Sequence, residues 1–502
     1  MTYSLPFVKS YREISAGKFF VVFPGGIPRA FDGARRTARR TARRFARRFA
    51  RHIVRRIPEA IMAAPSFSYP IISLPASDTE RERLFATDPR TGPLPPDRSI
   101  LHCDLNNFFA SAELLDHPEL REFPVIVGGS KADRHGIVLA KNYAAKRYGI
   151  ITGETLSQAI DKCPHLISLP PHYDKYLRLS RAVRSVYERY TDQVEAMGID
   201  ECFLDVTASE RFFGSGAAIA DEIRETVKRE VGLTISVGVS FNKVFAKLGS
   251  DMKKPDAVTV IPPESFREIV WPLPSRDMLG VGMKTYQKLY YRGIRTVGDI
   301  ARCPISLMQS YLGKAGAALW VCANGLERSP VMEQDERCPI KSVGHGMTLV
   351  ADLVSEEEVL ETILELTQEV GAKLRKNDLK CGGVAVAIRE NDLSWREYQE
   401  KFTRSTQLTR EIAACAMRLF RRRHVWRNNI RSVSVRAIYV SAAPASEQLD
   451  LFFDAEAEEK LLRLERAVDE IRERFGEHAV VCAACCRGGK FNPQRIGFAE
   501  MV

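Results

Sequence analysis

Residues 198–206 read GIDECFLDV, and the fold turns on how two acids can sit in such a stretch. Asp200 and Glu201 are flanked by Ile199, Cys202, Phe203, Leu204 and Val206, a pattern that predicts strand, tight turn and strand with Gly198 near the bend. Ionised carboxylates beside a β core are costly unless they are paired or bind a cation, so the Asp-Glu pair is a candidate metal site. The same two residues also read as acids facing water at a hairpin tip.

A second acid in a similar setting sharpens the choice. Residues 99–109, SILHCDLNNFF, form an apolar strand that ends at Asp104 and runs into an Asn-Asn turn and two aromatics. If this strand lies beside the Asp200 hairpin, three carboxylates meet at one place. Oxygen-only donors favour Mg²⁺, and two such ions about 4 Å apart can clamp the attacking and leaving oxygens of phosphoryl transfer.

At 502 residues, 45% hydrophobic and 27% charged, the chain has room for about three or four domains. No apolar run reaches the ~20 residues of a membrane span, and no cleavable signal pattern is evident. Eleven scattered cysteines, with Cys103 and Cys202 inside apolar strands, point to reduced thiols in a cytosolic setting. One cluster, Cys482, Cys485 and Cys486 with His478, has zinc-ligand chemistry but lacks a second ligand pair at a usual spacing.

The formal net charge of +11 suggests a nucleic-acid partner, yet residues 33–57 alone hold eleven Arg and no acid. The remainder is therefore neutral overall, and distribution says more than the total. Residues 410–436 carry eight Arg against one acid, whereas 447–477 carry eleven acids against five bases.

Residues 1–97 differ from the rest: the tract ARRTARRTARRFARRFARHIVRR repeats every four residues and leads into a Pro- and Ser-containing stretch. It reads as a basic arm for nucleic acid, or as a disordered extension or untranslated upstream sequence ahead of a start such as Met62, and carries no catalytic assignment. From Arg98 the chain becomes globular. GIVLAKNYAAKRYGI places Tyr143, Lys146 and Arg147 within one or two helical turns, suited to a triphosphate or to an ordinary solvated face. Helices are expected at 173–190 and 216–230. LTISVGVSFNKVFAKLGSDMKKPDAVTVI then gives strand, helix and strand, with Lys247, Asp251, Lys253 and Lys254 near the turn. This β-α-β-β-α-β order with acids on adjacent strands is that of a ferredoxin-like palm.

MLGVGMKTYQKLYYRGIRTVGDIA places Gly280 and Gly282 before one helix and Gly293 before another, the plan of a helix-hairpin-helix that holds a phosphate on backbone N–H groups. Beyond a polar linker a second α/β unit is expected. Its helices lie at 355–377 and 407–420 and its alternating strands at 383–389 and 432–440, with Ser432, Ser434 and Arg436 on a polar face. EQLDLFFD then reads as a docking peptide or as an anchor for the following helix, 455–475.

Six phrases in order, DLNNFFASAE, NYAAKRYGI, GIDECFLDVT, SVGVSFNKVFAKLGSDMKKP, LGVGMKT and KSVGHGMTL, resemble the Y-family DNA polymerases of the DNA polymerase IV type. The resemblance covers about 98–440, with a looser match in the tail. It implies an α/β (α+β) right-hand fold: palm at 98–107 and 173–262, small fingers at 108–172, a helical thumb at 263–333 and a linker at 334–340. An α/β little finger at 341–443 and a tail at 444–502 complete it. The implied metal ligands are Asp104, Asp200 and Glu201 with the Leu105 carbonyl, holding two Mg²⁺ for which Mn²⁺ can substitute. Phe109 matches the steric gate against ribonucleotides; Tyr143, Lys146 and Lys254 match triphosphate contacts. Gly280, Gly282, Lys284, Ser432, Ser434 and Arg436 are the expected DNA contacts. Gln448, Leu449, Leu451 and Phe452 match the sliding-clamp peptide. Two departures stand out: Lys146 replaces a common Arg, exchanging a bidentate contact for a point charge, and Asn106 replaces a common Asp.

The implied function is error-prone, template-directed synthesis across damaged bases, without a proofreading exonuclease. The enzyme would be monomeric, cytoplasmic and nucleoid-associated, using primed template DNA and dNTPs. The alternative is a non-catalytic, clamp-binding family member that recruits other polymerases.

Overall fold

In the computed structural model, strand Ile100–Leu105 is buried along its whole length, and its alternation decides what each face carries. Leu101, Cys103 and Leu105 enter a cluster with Val183, Val186 and Tyr187 of helix Tyr173–Tyr187 and with Ile219, Ile223 and Val227 of helix Gly216–Glu230. On the other face Ile100 packs with Phe203 and with Ala246 of helix Lys243–Met252. His102 and Asp104 share that second face by the two-residue period.

The described residues are 98–129, 136–333, 339–443, 454–476 and 479–482, with the backbone alone of Phe19–Val21. They divide into two units, the first holding 98–129 and 136–333 and the second the remainder. The sheet of the first unit has five strands in the order Val194–Ala196, Glu201–Asp205, Ile100–Leu105, Ile235–Ser240 and Val258–Ile261. Only the last pair is parallel. In chain order the first four strands and the two helices on one face give the expected β-α-β-β-α-β plan. Helix Lys243–Met252 covers the opposite face and returns the chain to the fifth strand. Gly238 lets that helix come close: a Cβ there would lie 1.9 Å from the Ala246 carbonyl oxygen.

Between the first strand and helix Tyr173–Tyr187, a three-stranded sheet forms in the order Val138–Lys141, Val125–Gly128, Ile167–Leu169, around Ile126, Val138, Ile150 and Leu156. The helices between Phe266 and Ala323 gather around Val281, Leu289, Ile294, Val297 and Trp320.

The second unit is a four-stranded antiparallel sheet in the order Ser342–Leu353, Ile430–Ala442, Leu379–Glu390, Trp395–Thr406. Helices Glu356–Lys376 and Thr409–Arg423 cover one face, burying Val359, Ile363, Leu366, Val370 and Leu374 against Ile412, Cys415 and Leu419. Helix Ala455–Phe475 docks beside them through Arg375, whose guanidinium lies 2.5 Å from Glu465 and 2.6 Å from Asp469. Strand Val480–Cys482 pairs antiparallel with the backbone of Phe19–Val21. The rest of the Arg-rich extension, the clamp-like peptide Gln448–Phe452, and His478, Cys485 and Cys486 lie outside the described residues. Among the described residues no helix is long and apolar enough to cross a membrane.

Candidate functional site

Strand register brings the acids together. Asp104 stands opposite Glu201 in the antiparallel pair, and the Leu105 N–H donates to the Asp200 carbonyl at 3.0 Å. Because 201 and 203 share parity, Glu201 faces the same side as Phe203, toward helix Lys243–Met252. That helix supplies Lys247, whose Nζ lies 2.9 Å from both Glu201 carboxylate oxygens. Lys254, just past the helix, donates to Asp104 at 2.8 Å and pairs with Asp251 at 2.9 Å. His102, fully buried, meets the Ser250 hydroxyl at 2.8 Å through Nδ1, and its Nε2 lies 3.7 Å from Glu201.

The electrostatics differ across the three acids. Burial pushes the Asp104 carboxyl up to about 7 even against the opposing pull of Lys254. Burial and then the neighbouring Glu201 push Asp200 up to about 6. Burial would also raise Glu201, but His102 and Lys247 outweigh it and hold that carboxyl below its ordinary range. Burial works against the Lys254 ammonium too, yet Asp104 and Asp251 keep it charged well above its usual value.

The carboxyls of Asp104, Asp200 and Glu201 are hard oxygen donors, the chemistry that fits a divalent cation. As they stand, lysines occupy Asp104 and Glu201. Among the described residues no group of three His, Cys, Asp or Glu side chains is yet drawn together closely enough to hold an ion. Asn106 plays another part: its side chain donates to Ser236 Oγ at 2.9 Å and accepts from the Asp256 N–H at 2.9 Å. It ties strand Ile235–Ser240 to the turn that precedes strand Val258–Ile261.

Phe109 lies on helix Phe108–Asp116, its ring stacked on Tyr176 at 4.3 Å and 11°, with Tyr173 edge-on at 6.0 Å. Tyr143 begins helix Tyr143–Arg147, capped by Asn142, whose side chain accepts from the Ala145 N–H at 2.9 Å. Burial raises the Tyr143 phenol, and Lys254 and Asp104 are close enough to act on it. Exposed Lys146 lies 5.7 Å from the Tyr143 ring. The sequence-expected nucleotide contacts Tyr143 and Lys254 thus share the neighbourhood of Asp104.

Gly280, Gly282 and Lys284 are exposed at the start of helix Met283–Tyr290. A cleft of about 520 Å³ is lined by Gly280 and Gly282 together with Lys247, the partner of Glu201, and with Asp251 and Met278. In the second unit Ser434 and Arg436 are part-exposed on the sheet face away from the helices, whereas Ser432, expected on the solvated face, is 5% exposed between Thr348 and Arg389. Arg436 is held by Glu397 at 2.9 Å.

Sequence reasoning missed His102, Glu113 and Tyr176. His102 had a signal, since it alternates with Asp104 along one strand. The buried contacts of Glu113 with Tyr176 had none, because helix and partner are far apart in the chain.

The profile of the impB/mucB/samB family matches residues 103–251, and that of its C-terminal domain matches 340–451. The DNA polymerase IV of Acetivibrio thermocellus is 48% identical over 383 residues, covering 76% of this chain and 96% of that protein. That of Moorella thermoacetica is 36% identical over 398 residues, covering 78% and 97%. Among solved structures, a Y-family DNA polymerase chimera superposes with a TM-score of 0.61 at 24% identity, covering 68% of this chain and 99% of its own, which supports the right-hand polymerase fold. With the carboxylates in register and these relatives spanned almost end to end, the chain belongs to the Y-family of translesion DNA polymerases, in its DNA polymerase IV type, and is a DNA-directed DNA polymerase.

Proposed function

We propose that this chain extends primed template DNA with dNTPs across damaged bases by two-metal nucleotidyl transfer at Asp104, Asp200 and Glu201. The observation that carries this reading is the register that sets Asp104 opposite Glu201 on the face covered by Lys247 and Lys254. These three carboxylates and the Leu105 carbonyl would hold Mg²⁺, which when bound acidifies the primer 3′-OH and neutralises charge on the phosphates. The chain's residues bind and orient. Tyr143, Lys146 and Lys254 grip the triphosphate, Lys254 meets charge on the leaving pyrophosphate, and no Ser or His nucleophile is needed. Phe109 stands as the steric gate, its ring disfavouring a ribose 2′-OH.

The five-stranded sheet is then the palm, the three-stranded sheet the core of the fingers, the Phe266–Ala323 helices the thumb, and the second unit the little finger. Exposed N–H groups at Gly280 and Gly282, with Lys284, would take a backbone phosphate, and Ser434 and Arg436 another. Gln448, Leu449, Leu451 and Phe452 are read as the tether to a sliding clamp, and the enzyme as a monomer without an exonuclease.

The test is extension of a primed template by the purified chain with Mg²⁺ and single nucleotides, beside Asp104→Ala. Template-directed addition by the native chain alone is expected. Tight primer-template binding without addition by the native chain would favour a recruiting, non-catalytic role instead.

A further inference from the structure

Beneath Phe109 lies a buried polar network that the chemistry does not use. Glu113 sits one turn further along the same helix at 3% exposure. A buried carboxylate is costly unless well bonded, and this one is. It accepts the hydroxyl of Tyr176, the backbone N–H of His172 at 3.2 Å, and His172 Nδ1 at 2.9 Å from each oxygen, with Lys175 3.7 Å away. Tyr176 is fully buried, and its phenol, raised by burial and then by Glu113, stays protonated as a donor. Its ring is the surface on which Phe109 lies, with Phe108 5.9 Å away from it on a second side.

We propose that Glu113 is a positioning residue for sugar discrimination, acting through Tyr176 to fix the ring of Phe109; this rests on the reading of Phe109 as the steric gate. A gate excludes a 2′-OH only if its ring cannot yield. Phe109 can sink on its stacked side only if Tyr176 moves, and the hydroxyl bond to Glu113 is what pins Tyr176 at its far end.

The experiment measures kcat/KM for a dNTP and its matching rNTP with the full chain and four variants. Phe109→Ala is the benchmark. Glu113→Leu and the near-isosteric Tyr176→Phe are expected to lower the dNTP-to-rNTP ratio about tenfold, mainly by admitting rNTPs while dNTP use stays within about threefold. Glu113→Gln keeps an acceptor for the Tyr176 hydroxyl and should hold the ratio within about twofold of the native value. The proposal is overturned if Phe109→Ala collapses the ratio while Glu113→Leu and Tyr176→Phe leave it unchanged. It is equally overturned if those two lose dNTP and rNTP use in parallel, the mark of a purely structural role. If Phe109→Ala itself leaves the ratio intact, the steric-gate reading fails first and the proposal with it.

Discussion

The carboxylate site of the first unit and the outer sheet face of the second meet opposite demands. In the first, Asp104 is buried and Asp200 and Glu201 are half-buried, Asp104 and Glu201 being fixed opposite each other by strand register and answered by Lys254 and Lys247. In the second, Ser434 and Arg436 are part-exposed, and Arg436 has a neighbouring Glu397 for company. Reacting atoms must be held to fractions of an ångström, whereas a phosphate backbone can be held by charge placed approximately. Damage to the first region should therefore be close to all-or-none, and damage to the second graded.

The largest expected effect is that of Glu201→Gln, which keeps shape and removes charge. Single-turnover primer extension should fall more than about a thousandfold while primer-template binding, read by fluorescence anisotropy, stays within about twofold. Extension within tenfold of native would erase the contrast between the two regions. Next comes Gly238→Ala, which drives a methyl into the Ala246 carbonyl and pushes helix Lys243–Met252 off the sheet. A thermal melt should show a loss of about 3 kcal/mol, and an unchanged Tm would mean the helix is free to shift.

In the second unit, Arg436→Ala should weaken DNA binding about threefold across sequences and reduce the salt slope by about one, whereas Glu397→Gln, by releasing Arg436, should tighten it. Equal binding by both variants would remove that face from the DNA interface. The smallest effect on extension is expected of Asn106→Asp, which keeps the acceptor of the Asp256 N–H. It exchanges the donor to Ser236 for a carboxylate at a position only 2% exposed, so stability should drop about 1–3 kcal/mol with extension within twofold. A large gain in metal affinity would instead make position 106 a ligand.

Period-two alternation made Asp104 and the Asp200–Glu201 pair legible, because a carboxylate inside an apolar strand is conspicuous on its own. Helices 355–377 and 407–420 were legible from their apolar spacing, and the structure has them at Glu356–Lys376 and Thr409–Arg423. What could not be read was partnership. Lys247 was visible as one of four charged residues near a turn, but only the sheet order puts it on Glu201. Ser432 alternates like its neighbours, yet Thr348 and Arg389 on the flanking strands cover it. Edge strand Trp395–Thr406 gave little signal, since its outward residues after Trp395 are polar and its inward ones mixed.

Arg375 carries a practical consequence. The family's C-terminal profile stops at residue 451, which invites cutting the chain there. Yet the guanidinium of Arg375, itself 7% exposed, takes its carboxylate partners Glu465 and Asp469 from the helix that follows. A truncation at 451 would remove both carboxylates, leave the guanidinium only the Gln407 carbonyl and the Thr409 hydroxyl, each at 3.1 Å, and take away the burial of Val468. The boundary of family likeness and the boundary of cooperative folding do not coincide here, and expression or limited-proteolysis fragments of this unit should run to the end of Ala455–Phe475 at least.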